Sequence, residues 1–185
     1  MIIMSLRCAI CDQPNIEEIV EQNKRYYFCQ TCQQKYERVI DSRYGRDRMK
    51  SQHGDVVHYS VGALIRDQDK VLLVKRRTWP FTYAFPAGHV EYGESPLEAL
   101  LREIREELGL TVESAELVFH DEIPGDECRY GANRHIWHFY RCRFATLQPF
   151  VNPESESFAR FTRDEALKLE LNPAAHYLFH NIVTE

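Results

Sequence analysis

Glu103, Glu106 and Glu107 fall at i, i+3 and i+4, a spacing that gathers three carboxylates on one face of a helix. Like charges so close repel one another, and more strongly as water is excluded. The plain alternative is a surface helix with local pairs such as Arg102 with Glu106. The chemical alternative is a hard-cation site, in which carboxylate oxygens hold a magnesium ion that keeps several waters and bridges substrate phosphates. A second group of chemically capable residues lies near the start of the chain. Cys8-x-x-Cys11 and Cys29-x-x-Cys32 form two identical pairs, seventeen residues apart. Two such turns present four thiolates, which complete a tetrahedral zinc shell. A full shell leaves no place for a reacting water, so this zinc is expected to be structural.

These residues need elements to position them. Ser95 reads as an N-cap, with Pro96 at the first helical position and Glu98 completing an S-x-x-E capping box. Gly109 supplies the stop. Leu97, Leu101, Ile104 and Leu108 share a stripe expected to face the core. Upstream, Val56 to Ile65 and Val71 to Lys75 read as strands joined by a turn at Asp67 to Lys70. The segment from Thr78 to Tyr92 has the Pro and Gly content of a loop. Further strands are expected at Ala115 to Asp121 and Ile136 to Phe144, a helix at Thr162 to Leu171, and a short helix after Asn172-Pro173. Mixed elements without a βαβ repeat indicate an α/β sandwich. In the cysteine-rich segment, Lys24 to Phe28 reads as a strand entering the second knuckle, and the stretch Arg38 to Lys50 as a solvated connecting helix and linker. The expected division is 1–50 for a zinc ribbon with its linker helix and 51–185 for the main domain.

Bulk composition narrows the function classes. The chain has 185 residues, 44% hydrophobic and 28% charged, with a net charge of -5. That balance is globular and offers no basic field to a nucleic acid. No apolar run is long enough for a bilayer, and Met1 to Arg7 is too short for a secretory h-region. The expected location is the cytoplasm, without a membrane partner. Paired cysteines there favour metal over disulfides. Arg38, Arg43, Arg46, Arg48 and Lys50 could form an RNA grip, but Glu37, Asp41 and Asp47 dilute it, so RNA is not the favoured partner.

Gly88, Glu94, Arg102, Glu103, Glu106, Glu107 and Gly109, with Ile104 and Leu110 at aliphatic positions, match G-x5-E-x7-R-E-U-x-E-E-x-G-U. The segment resembles the Nudix box, and Val56 to about Thr162 reads like a whole Nudix domain. The resemblance implies an α/β/α sandwich that hydrolyses a nucleoside diphosphate linked to another moiety, with Mg²⁺ or Mn²⁺ as cofactor. It further implies that Glu103, Glu106 and Glu107 bind the metal with the Ala87 carbonyl, while Glu94 and Arg102 orient the carboxylates. Glu103 is the family's common candidate for general base. Glu122, Glu127, Glu154 and Glu156 are candidates for a base from a later loop.

A ribbon beside a Nudix box also resembles NADH pyrophosphatases, which act on NADH, NAD and NAD-capped RNA. Their S-Q-P-W-type signature is not found after the box, and the layout is closer to ribbon-bearing ADP-ribose or FAD pyrophosphatases that release AMP. A Nudix-fold ligand sensor without catalysis is the third reading, although sensors can lose box carboxylates and this chain keeps all of them. Trp79, Phe81 and Tyr83 are candidates to stack on adenine, and Arg76 and Arg77 to grip phosphates. Tyr130, Trp137 and Arg134 are further candidates. His89 and His135 are expected at most to support the site from behind, and Cys128 and Cys142 to be buried or partly buried thiols. A homodimer is expected by analogy alone.

Overall fold

A computed structural model describes residues 6–41, 49–50, 56–145, 148–149 and 155–183. The N-terminal segment folds as short strands: β1 (Leu6–Cys8), β2 (Ile16–Glu21), β3 (Lys24–Cys29), β4 (Gln34–Tyr36) and β5 (Val39–Asp41). β2, β3 and β4 form a three-stranded antiparallel sheet, and β1 pairs with β5. The strand expected at Lys24 to Phe28 is β3. The linker helix expected within Arg38 to Lys50 is corrected at both described ends, which are β5 and β6 (Met49–Lys50). Val39 is β-branched and fully buried, which suits a sheet edge packed on the body better than a solvated helix. Arg43, Arg46, Asp47 and Arg48 lie outside the described residues.

The body is an eight-stranded sheet whose central path runs β11, β12, β7, β8, β13. Its members are β7 (Val56–Asp67), β8 (Lys70–Arg76), β11 (Val112–Ile123), β12 (Arg134–Phe144) and β13 (Ser155–Thr162), with β6 on β7. β7 and β12 run parallel, and the other pairings are antiparallel. Two short strands inside the expected loop, β9 (Tyr83–Ala84) and β10 (Ala87–His89), attach to β8 and β7. The β7–β8 turn forms where expected, with Gln68 at a positive φ of 58°.

Helices cover both faces, giving the expected α/β/α layering. α1 (Pro96–Leu108) has the anticipated capping box, and Gly109 closes it at φ 64°, in the left-handed region that glycine adopts without Cβ strain. One hydrophobic cluster joins α1 to Val61, Ala63, Ile65, Leu72 and Val74. A second joins α3 (Pro173–Asn181) to Leu64, Leu73, Phe85 and Phe139 on the opposite face. Alternation along β7 sends successive side chains to opposite clusters, as the period-2 geometry requires.

Two expectations for the helices change. The segment Thr162 to Leu171 is helical only over α2 (Arg163–Ala166), capped by Thr162, and Ser155 to Thr162 is strand. The core stripe of α1 is Ala99, Leu100, Ile104 and Leu108, whereas Leu97 and Leu101 stay 45% and 38% exposed. Two apolar stripes overlap on this helix and share Ile104 and Leu108. The one that is buried turns Glu103 and Glu107 toward the sheet. Leu100→Ala is therefore expected to cost about 2–5 kcal/mol, and Leu101→Ala clearly less, in urea denaturation of the two variants. Equal losses would contradict this rotation of α1.

Candidate functional site

The rotation of α1 sets the geometry. Glu103, on its inward side, is 14% exposed, while Glu106 is 59% exposed at the cavity mouth. The Arg102 guanidinium sits among the acids. Its Nε and Nη2 donate to the two oxygens of Glu94 at 2.7 and 2.8 Å. Nη1 donates to Glu103 at 2.7 Å and to Glu106 at 3.3 Å, and Nη2 also donates to the His89 carbonyl at 3.0 Å. This planar fork ties the helix to the preceding loop in a way a lysine ammonium would not reproduce. The hydrogen bonds from Arg102 hold the Glu94 carboxyl below its usual range. The Glu91 N–H donates to the same carboxylate at 2.9 Å.

β10 supplies the facing wall. The Ala87 N–H donates to Glu107 at 3.1 Å, so this carboxylate rests against the loop backbone. A Cβ added to Gly88 would lie 1.9 Å from Glu103 Cδ. Any side chain there would have to displace the end of Glu103, whose carboxylate occupies that volume. Glu103, Glu106, Glu107, Ala87 and Arg102 share one cavity of about 470 Å³, within the usual range for a small-molecule site. The same cavity is also lined by Arg76, Trp79, Arg129 and Tyr130.

Other candidate residues go elsewhere. Phe81 is tilted against Tyr26 of the N-terminal sheet at 5.9 Å, with the Lys24 ammonium 4.6 Å from its ring. Tyr83 packs on Phe161 at 5.6 Å, and the Arg77 carbonyl accepts from the Arg25 N–H at 3.2 Å. None of these three, nor Arg134, lines the cavity. Trp137 does, with its indole N–H held by Asp126 at 2.6 Å. Arg134 is engaged by Glu122 at 2.6 Å, and Glu127 by Arg38 at 2.8 Å. Glu127 lines the cavity; Glu156 lies exposed on β13 away from it, and Glu154 is outside the described residues.

Arg38 also donates to the carbonyls of Cys128 at 2.9 Å and Ala132 at 3.0 Å. Its guanidinium lies 5.4 Å from the Trp79 ring centroid. The one described arginine of the suggested RNA grip therefore fastens the N-terminal sheet to the body. Arg129 and Tyr130 were not singled out together by sequence reasoning, because no local pattern marks the loop that bears them.

In the N-terminal module, Cys8 and Cys32 sulfurs are 3.7 Å apart, and Cys11 and Cys29 3.6 Å. Four sulfurs about 2.3 Å from one tetrahedral ion are about 3.8 Å from each other. Asp12 and Gln33, each following the second cysteine of a pair, both have φ 56°, so the two knuckles turn alike. Burial alone would raise the Cys8 thiol, but the Cys11 N–H and neighbouring donors bring it down to about 6. The N–H of Cys32 lowers Cys29. No disulfide links any of the six cysteines.

The Nudix domain family model matches residues 56–182. The chain belongs to the Nudix family. Among curated proteins, it is 47% identical over 53 residues to an ADP-ribose pyrophosphatase of Methanocaldococcus jannaschii. That match covers 28% of this chain and 31% of the relative, so the chain spans about a third of that enzyme's length. It is 32% identical to the nucleoside triphosphatase NudI of an Enterobacter species, over 63% of this chain and 89% of NudI. Among solved structures, a MutT Nudix hydrolase of Burkholderia pseudomallei superposes with a TM-score of 0.60 at 25% identity. It covers 68% of this chain and 98% of that one. The ribbon lies outside the matched Nudix segment. Among the described residues no helix is long and apolar enough to cross a membrane.

Two outcomes test this site. In Gly88→Ala, the new methyl displaces the mobile end of Glu103, so kcat is expected to fall at least about tenfold while the circular dichroism spectrum is retained. Full activity would show that the Glu103 position is immaterial. The Glu94 carboxyl titrates lower in the folded state than in the unfolded chain. Its contribution is therefore complete above about pH 4.3 and lost as pH falls through the depressed value. Glu94→Gln should melt earlier than the parent at neutral pH, with the difference narrowing as pH drops below about 4. A difference independent of pH would remove the ion pair from the explanation.

Proposed function

We propose that the protein hydrolyses the pyrophosphate link of an ADP-ribose- or FAD-type nucleotide, releasing AMP, with Mg²⁺ or Mn²⁺ as cofactor and a structural zinc in the N-terminal ribbon. One observation supports the reading: a single cavity is lined both by the α1 carboxylates and by Arg76, Trp79, Arg129 and Tyr130. A molecule with a charged diphosphate and a flat base matches both groups of side chains. The carboxylates of Glu103, Glu106 and Glu107 are hard oxygen donors with one guanidinium among them, so a polyanion can approach only when cations offset their charge. The donor set therefore fits a magnesium-class ion, with the Ala87 carbonyl as a further ligand.

Bound there, such an ion supplies charge neutralisation and a more acidic water. The chain's own residues do the rest. Arg102 and Glu94 hold the carboxylates in place, while Arg76 and Arg129 grip phosphate oxygens. Trp79 and Tyr130 flank the base, and Glu103 takes a proton from the attacking water. That attack forms a new P–O bond, and the bridging P–O bond breaks with its electrons leaving on the second phosphate. Glu103 is favoured as base over Glu122, which does not line the cavity, and Glu127, a cavity-lining carboxylate held by Arg38, is the alternative.

The M. jannaschii relative supports ADP-ribose as substrate, whereas NudI points to triphosphates. A magnesium-dependent screen over ADP-ribose, FAD, NADH, NAD and nucleoside triphosphates, with products separated by chromatography, decides between them. ADP-ribose giving AMP and ribose 5-phosphate is the expected result, and a preference for triphosphates would overturn it. Glu106→Gln and Glu107→Gln should each lower kcat by about a hundredfold or more without loss of fold. Near-normal turnover in either would remove the metal-site assignment.

A further inference from the structure

We propose that His58, His89, Cys128 and His135 form a second transition-metal site, of the zinc class, distinct from both the four-cysteine knuckles and the carboxylate wall. One ligand atom from each residue lies within 4.8 Å of all the others. The sheet produces this convergence. His58 on β7 is directly opposite His135 on β12, and His89 on β10 is opposite Ser60, two residues along β7. Cross-strand partners and i, i+2 neighbours share a sheet face, so three adjacent strands deliver three imidazoles to one side. The loop between β11 and β12 adds the thiol of Cys128.

The distances have the scale of a coordination shell. His89 Nε2 and His135 Nε2 are 3.1 Å apart, and Cys128 Sγ is 3.6 Å from His58 Nδ1. Nitrogens about 2.0–2.1 Å and sulfur about 2.3 Å from one tetrahedral ion give N···N near 3.3 Å and N···S near 3.6 Å. The ring centroids form a compact triangle, with separations of 5.2, 5.2 and 5.8 Å.

The surroundings orient one ligand. His135 Nδ1 is 2.8 Å from the Asp126 carbonyl oxygen and 3.2 Å from its carboxylate. A carbonyl only accepts, so Nδ1 carries a proton, and Nε2 is the nitrogen left to bind an ion in place of its own proton. The Trp137 indole N–H fixes the same carboxylate at 2.6 Å. A carboxylate and a carbonyl behind a histidine are the usual means by which a protein sets a ligating imidazole. His58 and His135 are each 2% exposed and Cys128 is 9% exposed. Three imidazoles and a thiol favour zinc or a neighbouring transition metal over magnesium, which takes oxygen donors.

Four protein ligands leave no open position, so the role is positional. The ion would pin His89, next to Gly88 and Glu103, to the Cys128 loop that Arg38 grips from the ribbon. This inference does not rest on the pyrophosphatase reading, because its test measures metal and not turnover.

The experiment uses the full chain, loaded with zinc and dialysed against excess magnesium to clear the carboxylates. Metal is counted by plasma mass spectrometry. Cys128→Ser should lose one equivalent, and Cys29→Ser, which breaks the ribbon, should retain that same equivalent. X-ray absorption of the unaltered protein gives an answer even if Cys128→Ser does not fold. With both sites filled, the ligands are five cysteine sulfurs and three histidine nitrogens, and imidazole scattering should be present. Unchanged zinc content in folded Cys128→Ser, or a sulfur-only shell in the unaltered protein, would overturn the proposal.

Discussion

Three carboxylates on two adjacent turns of one helix are unstable company, and the guanidinium of Arg102 makes the arrangement tolerable. It reaches Glu94, Glu103 and Glu106 and the carbonyl of His89 at once. Its position is as much a matter of packing as of charge. Ala99, Leu100, Ile104 and Leu108 choose the rotation of α1, and that rotation turns Glu103 and Glu107 inward. A rotation burying Leu97 and Leu101 would swing both acids away from the loop. Hydrophobic burial thus overrides electrostatic preference, and the residual acid charge is left facing a cavity where cations and phosphates can meet it.

Much of this was legible in the sequence because its signals are local. The capping box at Ser95, the stop at Gly109, the β7–β8 turn and the two CxxC knuckles depend on residues a few positions apart. The Nudix box belongs to the same class, since its spacing encodes one loop and one helix. Rotation about the helix axis was not legible, because periodicity allows two overlapping stripes and only tertiary packing selects one. The dispersal of Phe81, Tyr83 and Arg77 was hidden for a similar reason. They are close in sequence to Trp79 and Arg76, yet the short strand β9 and the ribbon contact take them to other surfaces.

The histidine and cysteine cluster shows the same limit from the other side. His58, His89, Cys128 and His135 have no common spacing, and individually each reads as a buried polar side chain. Their meeting follows from the parallel β7–β12 pairing, the β10 attachment to β7 and a loop return, all of which are long-range. Burial lowers the His89 imidazole to about 4. Burial would also lower His135, but Asp126 and Cys128 outweigh it and raise it to about 10. The geometry shows the organisation directly, with the Asp126 carbonyl and the Trp137-held carboxylate both against His135 Nδ1.

Ribbon and body meet at this same loop, and the meeting has a physical logic. A module of about forty residues buries little surface of its own. Its remaining apolar and cationic side chains then seek the body: Tyr26 and Lys24 on Phe81, and Arg38 on the Trp79 face and the Cys128 and Ala132 carbonyls. Trp79 and Cys128 also line the cavity that holds the α1 carboxylates. The N-terminal module thus touches the cavity lining directly, with Arg38 against the Trp79 ring and the Cys128 carbonyl, and Val39 hydrogen-bonded to the Arg129 backbone.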